Sequence, residues 1–128
     1  MAICKYLLNC GKYCVEIKKH HKIIHIETFT SDRKRMSTII EREDGSHRLY
    51  IKGASEYIVE SCDKTLDLDS GNVNNLSSDF RKETDSAIVG FAKKSLRTIG
   101  LAYVDLKPGS YDLADKDDKK IMSIEKSG

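Results

Sequence analysis

Met36-Ser37-Thr38-Ile39-Ile40-Glu41-Arg42, then Asp44-Gly45, then Arg48-Leu49-Tyr50-Ile51-Lys52, with Gly53-Ala54-Ser55-Glu56 directly behind, is the stretch that decides the fold. Both runs are rich in β-branched and aromatic residues, which suits extended chain. Asp44-Gly45 between them can supply the positive backbone angles of a tight hairpin turn. The pair therefore reads as two antiparallel strands. Ala54 to Cys62 follows at once as a short helix, with Tyr57, Ile58 and Val59 available to face a core.

Upstream, Lys22 to Phe29 alternates β-branched and polar residues and reads as another strand, ending on Phe29. Ala2 to Leu8 reads as the tail of a helix that stops near Asn9-Cys10-Gly11, where glycine can take a left-handed cap. Downstream, Asp67 to Asn75 is a polar loop. Ser77 and Ser78 can then cap the clearest helix of the chain, with Phe80, Thr84, Ala87, Ile88, Phe91, Ala92 and Ser95 at helical spacing. Ile99 to Val104 is an apolar strand of the kind buried inside a sheet. After Pro108-Gly109 the chain turns polar, with weak helical potential from Asp115 to Ile124. This order predicts an α+β fold with a largely antiparallel sheet covered by helices.

The 128 residues are most simply one domain, large enough for a core. At 39% hydrophobic and 33% charged the composition suits a globular protein, and no run approaches a membrane-spanning helix. A net charge of +2 does not by itself point to nucleic acid. Cys10 and Cys14 lie too close to His20, His21 and His25 for the spacing of a zinc finger, so Cys4, Cys10, Cys14 and Cys62 read as free thiols and no protein metal site is expected.

Three clusters carry chemistry: Phe29 with Asp32-Arg33-Lys34-Arg35-Met36-Ser37, Lys52-Gly53-Ala54, and Leu96-Arg97 ahead of Ile99. A flat aromatic ring, two lysines and an arginine suit a ligand with a flat ring and several negative charges, which describes a nucleotide. In that order and chemistry the clusters resemble the nucleotide-binding domain of P-type ATPases, the cation pumps that form an aspartyl-phosphate. With Ser55 after Ala54, and with Arg35-Met36-Ser37-Thr38 and Ser95-Leu96-Arg97-Thr98-Ile99, the chain is most similar to the plasma-membrane-type calcium pumps.

The resemblance implies that Phe29 stacks on adenine, with Lys34 and Lys52 beside the ring and phosphates and Arg97 reaching a ribose or phosphate. It further implies that Met36 and Ile99 wall the pocket and that Gly53 and Ala54 let the ligand approach the backbone. ATP would bring Mg²⁺ on its phosphates, and the partners would be the phosphorylation and actuator domains of a parent pump. Neither nucleic acid nor direct membrane contact is implied, the chain is expected to be a monomer, and its place is the cytoplasmic face of a membrane protein. On this reading the chain is a single domain cut short at its N-terminus. Residues from about 107 lead back toward the phosphorylation domain, and no catalytic residue lies within the chain.

The pattern departs from the family at two positions. Met1 stands before Ala2 where the family carries Thr-Glu, and Ser31 stands where reticulum-type pumps carry Arg. Both departures imply weak ATP binding, with a dissociation constant on the order of a millimolar, or about 4 kcal/mol. Asp63-Lys64-Thr65 continues Leu66-Asp67 rather than Gly-Thr, so Asp63 is read as part of a turn and not as a phosphorylated nucleophile. Two rival functions remain: a structural remnant that binds no nucleotide, and a basic module using Lys18-Lys19-His20-His21-Lys22 and Arg33-Lys34-Arg35 on acidic partners.

Overall fold

The computed structural model describes residues 2–106. The polar segment from about 107 and the helical potential at Asp115 to Ile124 lie outside the described residues. The elements run α1 (Ala2–Asn9), α2 (Cys14–Lys19), β1 (Lys22–Glu27), β2 (Arg35–Glu41), β3 (His47–Ala54), α3 (Ser55–Ser61), β4 (Lys64–Leu66), β5 (Val73–Asn75), α4 (Ser78–Lys93) and β6 (Ile99–Leu106). The strands β1-β2-β3-β6 form one antiparallel sheet in that order, and β4 with β5 forms a small ladder of its own. The α+β expectation holds.

Alternation along the strands gives the sheet two unlike faces. On one, Ile39 on β2, Leu49 and Ile51 on β3 and Leu106 on β6 meet Ile58 from α3, and all are buried. Each such side chain contributes about 1.5–3 kcal/mol by leaving water. The helix lies close because β6 offers no side chain at Gly100. A Cβ there would stand 2.6 Å from the Cβ of Ile58. The other face carries Lys52, Tyr50 and Arg48 on β3 beside Leu101, Tyr103 and Asp105 on β6, in register. It is open among the described residues, with Leu101 68% exposed. Arg48 closes one end of that face, bonding both carboxylate oxygens of Asp105 at 2.5 and 2.8 Å and lying 4.2 Å from the centre of the Tyr103 ring.

Several local expectations change. The long helix does not face the core: none of α4 is buried, and Phe80 and Phe91 are each 46% exposed. It meets α3, where the Arg81 guanidinium donates to the carbonyls of Val59 and Cys62 at the C-terminal end of that helix. The turn between β2 and β3 is wider than a two-residue hairpin. Only Gly45 is left-handed (φ +77°), and Asp44 secures the turn by accepting from the Ser46 amide. Within the expected polar loop, Asp67 accepts from the amides of Asp69 and Ser70, and the chain returns as β5. The helix α2, with no buried residue, was not foreseen.

Candidate functional site

Glu27 faces Ser37 on the last rung between β1 and β2, and the chain between them leaves the sheet as a loop. Phe29 therefore sits in that loop and not at the end of a strand, two residues past Glu27, and is 57% exposed. The loop is closed by its own backbone. The amide of Lys34 donates to the Thr30 carbonyl at 2.9 Å, and the amide of Arg33 donates to Thr30 Oγ1 at 3.3 Å. Lys34 itself is left-handed, at φ +55°. A non-glycine residue holds such a conformation only where its surroundings impose it. Here the imposing partner is β3, whose Ala54 amide donates to the Lys34 carbonyl at 3.0 Å.

That bond draws the clusters together. From Lys34 the chain enters β2, where Met36 pairs with Lys52 on β3, which pairs in turn with Leu101 on β6. Ala54 pairs with Ile99, so Arg97 lies two residues from the same corner. The turn that delivers Arg97 is a C-terminal helix cap. Ser95, left-handed at φ +57°, donates from its amide to Ala92, and Leu96 donates to Phe91. Phe29, Lys34, Met36, Lys52, Gly53, Ala54, Arg97 and Ile99 are thus gathered at one end of the sheet by strand register and loop closure.

The corner is an open surface. Ile99 is 59% exposed, Met36 is half-buried, and Lys34, Lys52 and Arg97 are exposed. None of the three cations has a carboxylate partner among the described residues. Gly53 has a reason within the fold besides the one its sequence suggests. A Cβ there would stand 2.6 Å from the Lys34 carbonyl oxygen and 2.7 Å from the Cβ of Arg35. The close approach that glycine permits at this point is to the chain's own backbone.

Reading Arg33-Lys34-Arg35 as one basic run missed a separation of roles. Arg33 turns inward, with its side chain 13% exposed. Its Nη1 lies 3.4 Å from Glu27 Oε1 and donates to the Thr28 carbonyl at 3.2 Å, while Nη2 donates to Ser37 Oγ at 3.3 Å. The other Glu27 oxygen lies 3.4 Å from His25 Nε2. Arg35 is buried on the α3 side of the sheet, and only Lys34 points its charge to solvent. The sequence signal for Arg33 is a carboxylate six residues upstream across a loop, which becomes visible only once Glu27 and Ser37 are known to pair.

Asp63, exposed after α3, uses its carbonyl to accept from the Leu76 amide at 2.8 Å and so anchors the chain after β5. Among the described residues no three His, Cys, Asp or Glu converge as metal ligands, and all four cysteines are free. Burial pushes the Cys62 thiol above its ordinary pKa. No helix among the described residues is long and apolar enough to cross a membrane.

Comparison with known proteins identifies the family. The family described as P-type ATPase, cytoplasmic domain N, matches residues 1–127. Calcium-transporting ATPase 2, plasma membrane-type, of Arabidopsis thaliana is 38% identical over 109 residues, covering 84% of this chain and 11% of the relative. Calcium-transporting ATPase PAT1 of Dictyostelium discoideum is 37% identical over 122 residues, covering 92% of this chain and 11% of the relative. Plasma membrane calcium-transporting ATPase 4 of Bos taurus is 39% identical over 88 residues, covering 69% of this chain and 7% of the relative. The chain spans about a tenth of the length of these curated relatives.

Proposed function

Since the chain belongs to the P-type ATPase cytoplasmic domain N family, we propose that it binds the adenosine part of ATP at the corner formed by Phe29, Lys34, Lys52 and Arg97. The observation that supports this best is the set of three exposed cations without carboxylate partners among the described residues, beside an exposed aromatic and an apolar strip of sheet. Cations on a surface usually find acids or open water. Lys34 and Lys52 are open to water beside Met36, Ile99 and Leu101, a surface suited to a ligand that is a ring at one end and anionic at the other. Phe29 would take the adenine on its π-face, the lysines the phosphates and Arg97 the ribose or a phosphate. Mg²⁺ would travel on the phosphates.

In this reading the chain presents ATP to a phosphorylatable Asp in another domain of a cation pump, with calcium as the transported ion because the similar proteins are calcium-transporting. Phosphoryl transfer needs a nucleophile and charge stabilisation at the γ-phosphate. The chain's own contribution is to hold and orient the nucleotide. The rival basic module is weakened by pairing within the fold. Lys22 is bound to Glu41 at 2.7 Å, Arg33 is spent on Glu27, and Arg35 is buried.

The test is a titration of MgATP into isotope-labelled protein, followed by amide shifts, with Phe29→Ala alongside. Shifts should cluster at Phe29, Lys34, Lys52, Gly53 and Arg97. Losing a stacking partner worth about 1–3 kcal/mol should weaken binding by about 5- to 150-fold in the variant. A folded spectrum indifferent to about 10 mM MgATP, some tenfold above the expected dissociation constant, would refute the reading.

A further inference from the structure

We propose that Glu27 and Arg33 act as a positioning pair that holds Phe29 and Lys34 in their binding arrangement before ligand arrives; this rests on the adenosine reading above. The loop leaves the sheet after Glu27 and re-enters it at Arg35, and it carries both the aromatic and a cation of the candidate site. A loop of this kind ordinarily pays for binding with the freedom it loses on closing around a ligand. Here bonds within the loop hold its backbone before any ligand is present.

Arg33 bonds the chain on both sides of the loop at once. It reaches the Thr28 carbonyl, immediately before Phe29, and Ser37 Oγ, on the re-entering strand. Glu27 aligns the guanidinium from the last rung of the β1–β2 ladder, and His25 lies against the opposite carboxylate oxygen. The Thr30 carbonyl then receives the Lys34 amide, and the left-handed turn at Lys34 is fixed from β3. A guanidinium is suited to this task because its planar fork meets several acceptors in fixed directions, which an ammonium cannot do. Neither Glu27 nor Arg33 needs to touch the nucleotide. Their action passes through Phe29 and Lys34.

The test compares Glu27→Gln and Arg33→Lys with the unaltered chain in three readouts: the urea midpoint, the order of the loop amides by ¹⁵N relaxation, and adenosine affinity by amide shifts. Either variant should loosen amides 28–34 while leaving those of β2 and β3 rigid. Adenosine binding should weaken by about 3- to 10-fold, the expected size when one or two side chains must be ordered on binding. Phe29→Leu supplies the control for mechanism. Once the ring is gone, adding Glu27→Gln should weaken adenosine binding by less than it does alone.

Unchanged loop order and affinity, in a chain that still binds adenosine through Phe29, would overturn the positioning role and leave the nucleotide site standing. Weaker binding that merely follows a lowered urea midpoint, and adds fully to Phe29→Leu, would overturn it as well, since the pair would then be only structural. If the unaltered chain ignores adenosine, the nucleotide reading fails first and the positioning role falls with it.

Discussion

Replacing Gly53 with alanine separates two reasons for a glycine at the candidate site. If the residue is there to admit a ligand, alanine costs nothing in the free protein. The backbone at Gly53 lies outside the left-handed region, so alanine adopts it without strain, and the stiffer unfolded chain even favours the variant by about 0.4–1 kcal/mol. If the residue is there because β2 passes too close, the free protein suffers. The added Cβ would lie 2.6 Å from the Lys34 carbonyl oxygen, 2.7 Å from the Arg35 Cβ and 3.0 Å from the Arg35 Cα. None of these can swing aside. The carbonyl accepts from the Ala54 amide at 3.0 Å, and Arg35 is 9% exposed in a strand paired with Gly53 itself. Overpacking against fixed atoms costs about 1–3 kcal/mol, so the net loss should be about 1–2 kcal/mol. With a slope of about 2 kcal/mol per molar in urea, the midpoint should fall by roughly 0.5–1 M at an unchanged slope. The measurement is a urea melt of both proteins without nucleotide. A midpoint at or above that of the unaltered chain would refute the close-approach argument and return Gly53 to the ligand.

Two further perturbations follow from single side chains. Arg81→Ala removes both guanidinium bonds to the end of α3, at 2.5 and 2.7 Å, and should cost about 2–3 kcal/mol in a urea melt, with faster amide exchange concentrated in α3; uniform exchange would contradict this. Asp105 is held below the ordinary aspartate pKa, chiefly by the hydrogen bonds from Arg48. A depressed folded pKa means that its contribution is complete above the unfolded value of about 3.9 and disappears as pH falls through the folded value. Asp105→Asn should therefore be less stable than the unaltered chain at neutral pH, by at most about 1 kcal/mol because the carboxylate is 51% exposed, and the gap should close on acidification. A gap that does not narrow as pH falls below the unfolded value of about 3.9 would assign the loss to packing.

What the sequence discloses and what it hides divide along one physical line. Strands β2 and β3 were legible because side-chain alternation and β-branching are properties of the segment itself. The apolar run of β6 suggested a strand buried inside the sheet, yet among the described residues β6 is an edge strand, with Ile99 59% and Leu101 68% exposed. The cap after α1 was legible for a similar reason. Gly11, at φ +71°, is the residue type that takes the left-handed conformation without cost. The same conformation at Ser95 and Lys34 left no mark, since neither residue type favours it. At each of these the surroundings supply the constraint: the closing bonds of α4 at Ser95, and the Ala54 amide at Lys34. The exposure of α4 was hidden by its own regular apolar spacing, which records a face able to be covered and not what covers it. The basic run shows the same limit most sharply. Three adjacent cations look like one patch only if the backbone beneath them is uniform. One left-handed residue, followed by the first step of a strand, sends Arg33 into the loop, Lys34 to solvent and Arg35 beneath the sheet. Charge at a binding surface is therefore set by backbone conformation before it is set by composition. That is why Lys34 alone of the three carries its charge at the surface, while Arg33 bonds within the loop and Arg35 lies against the core.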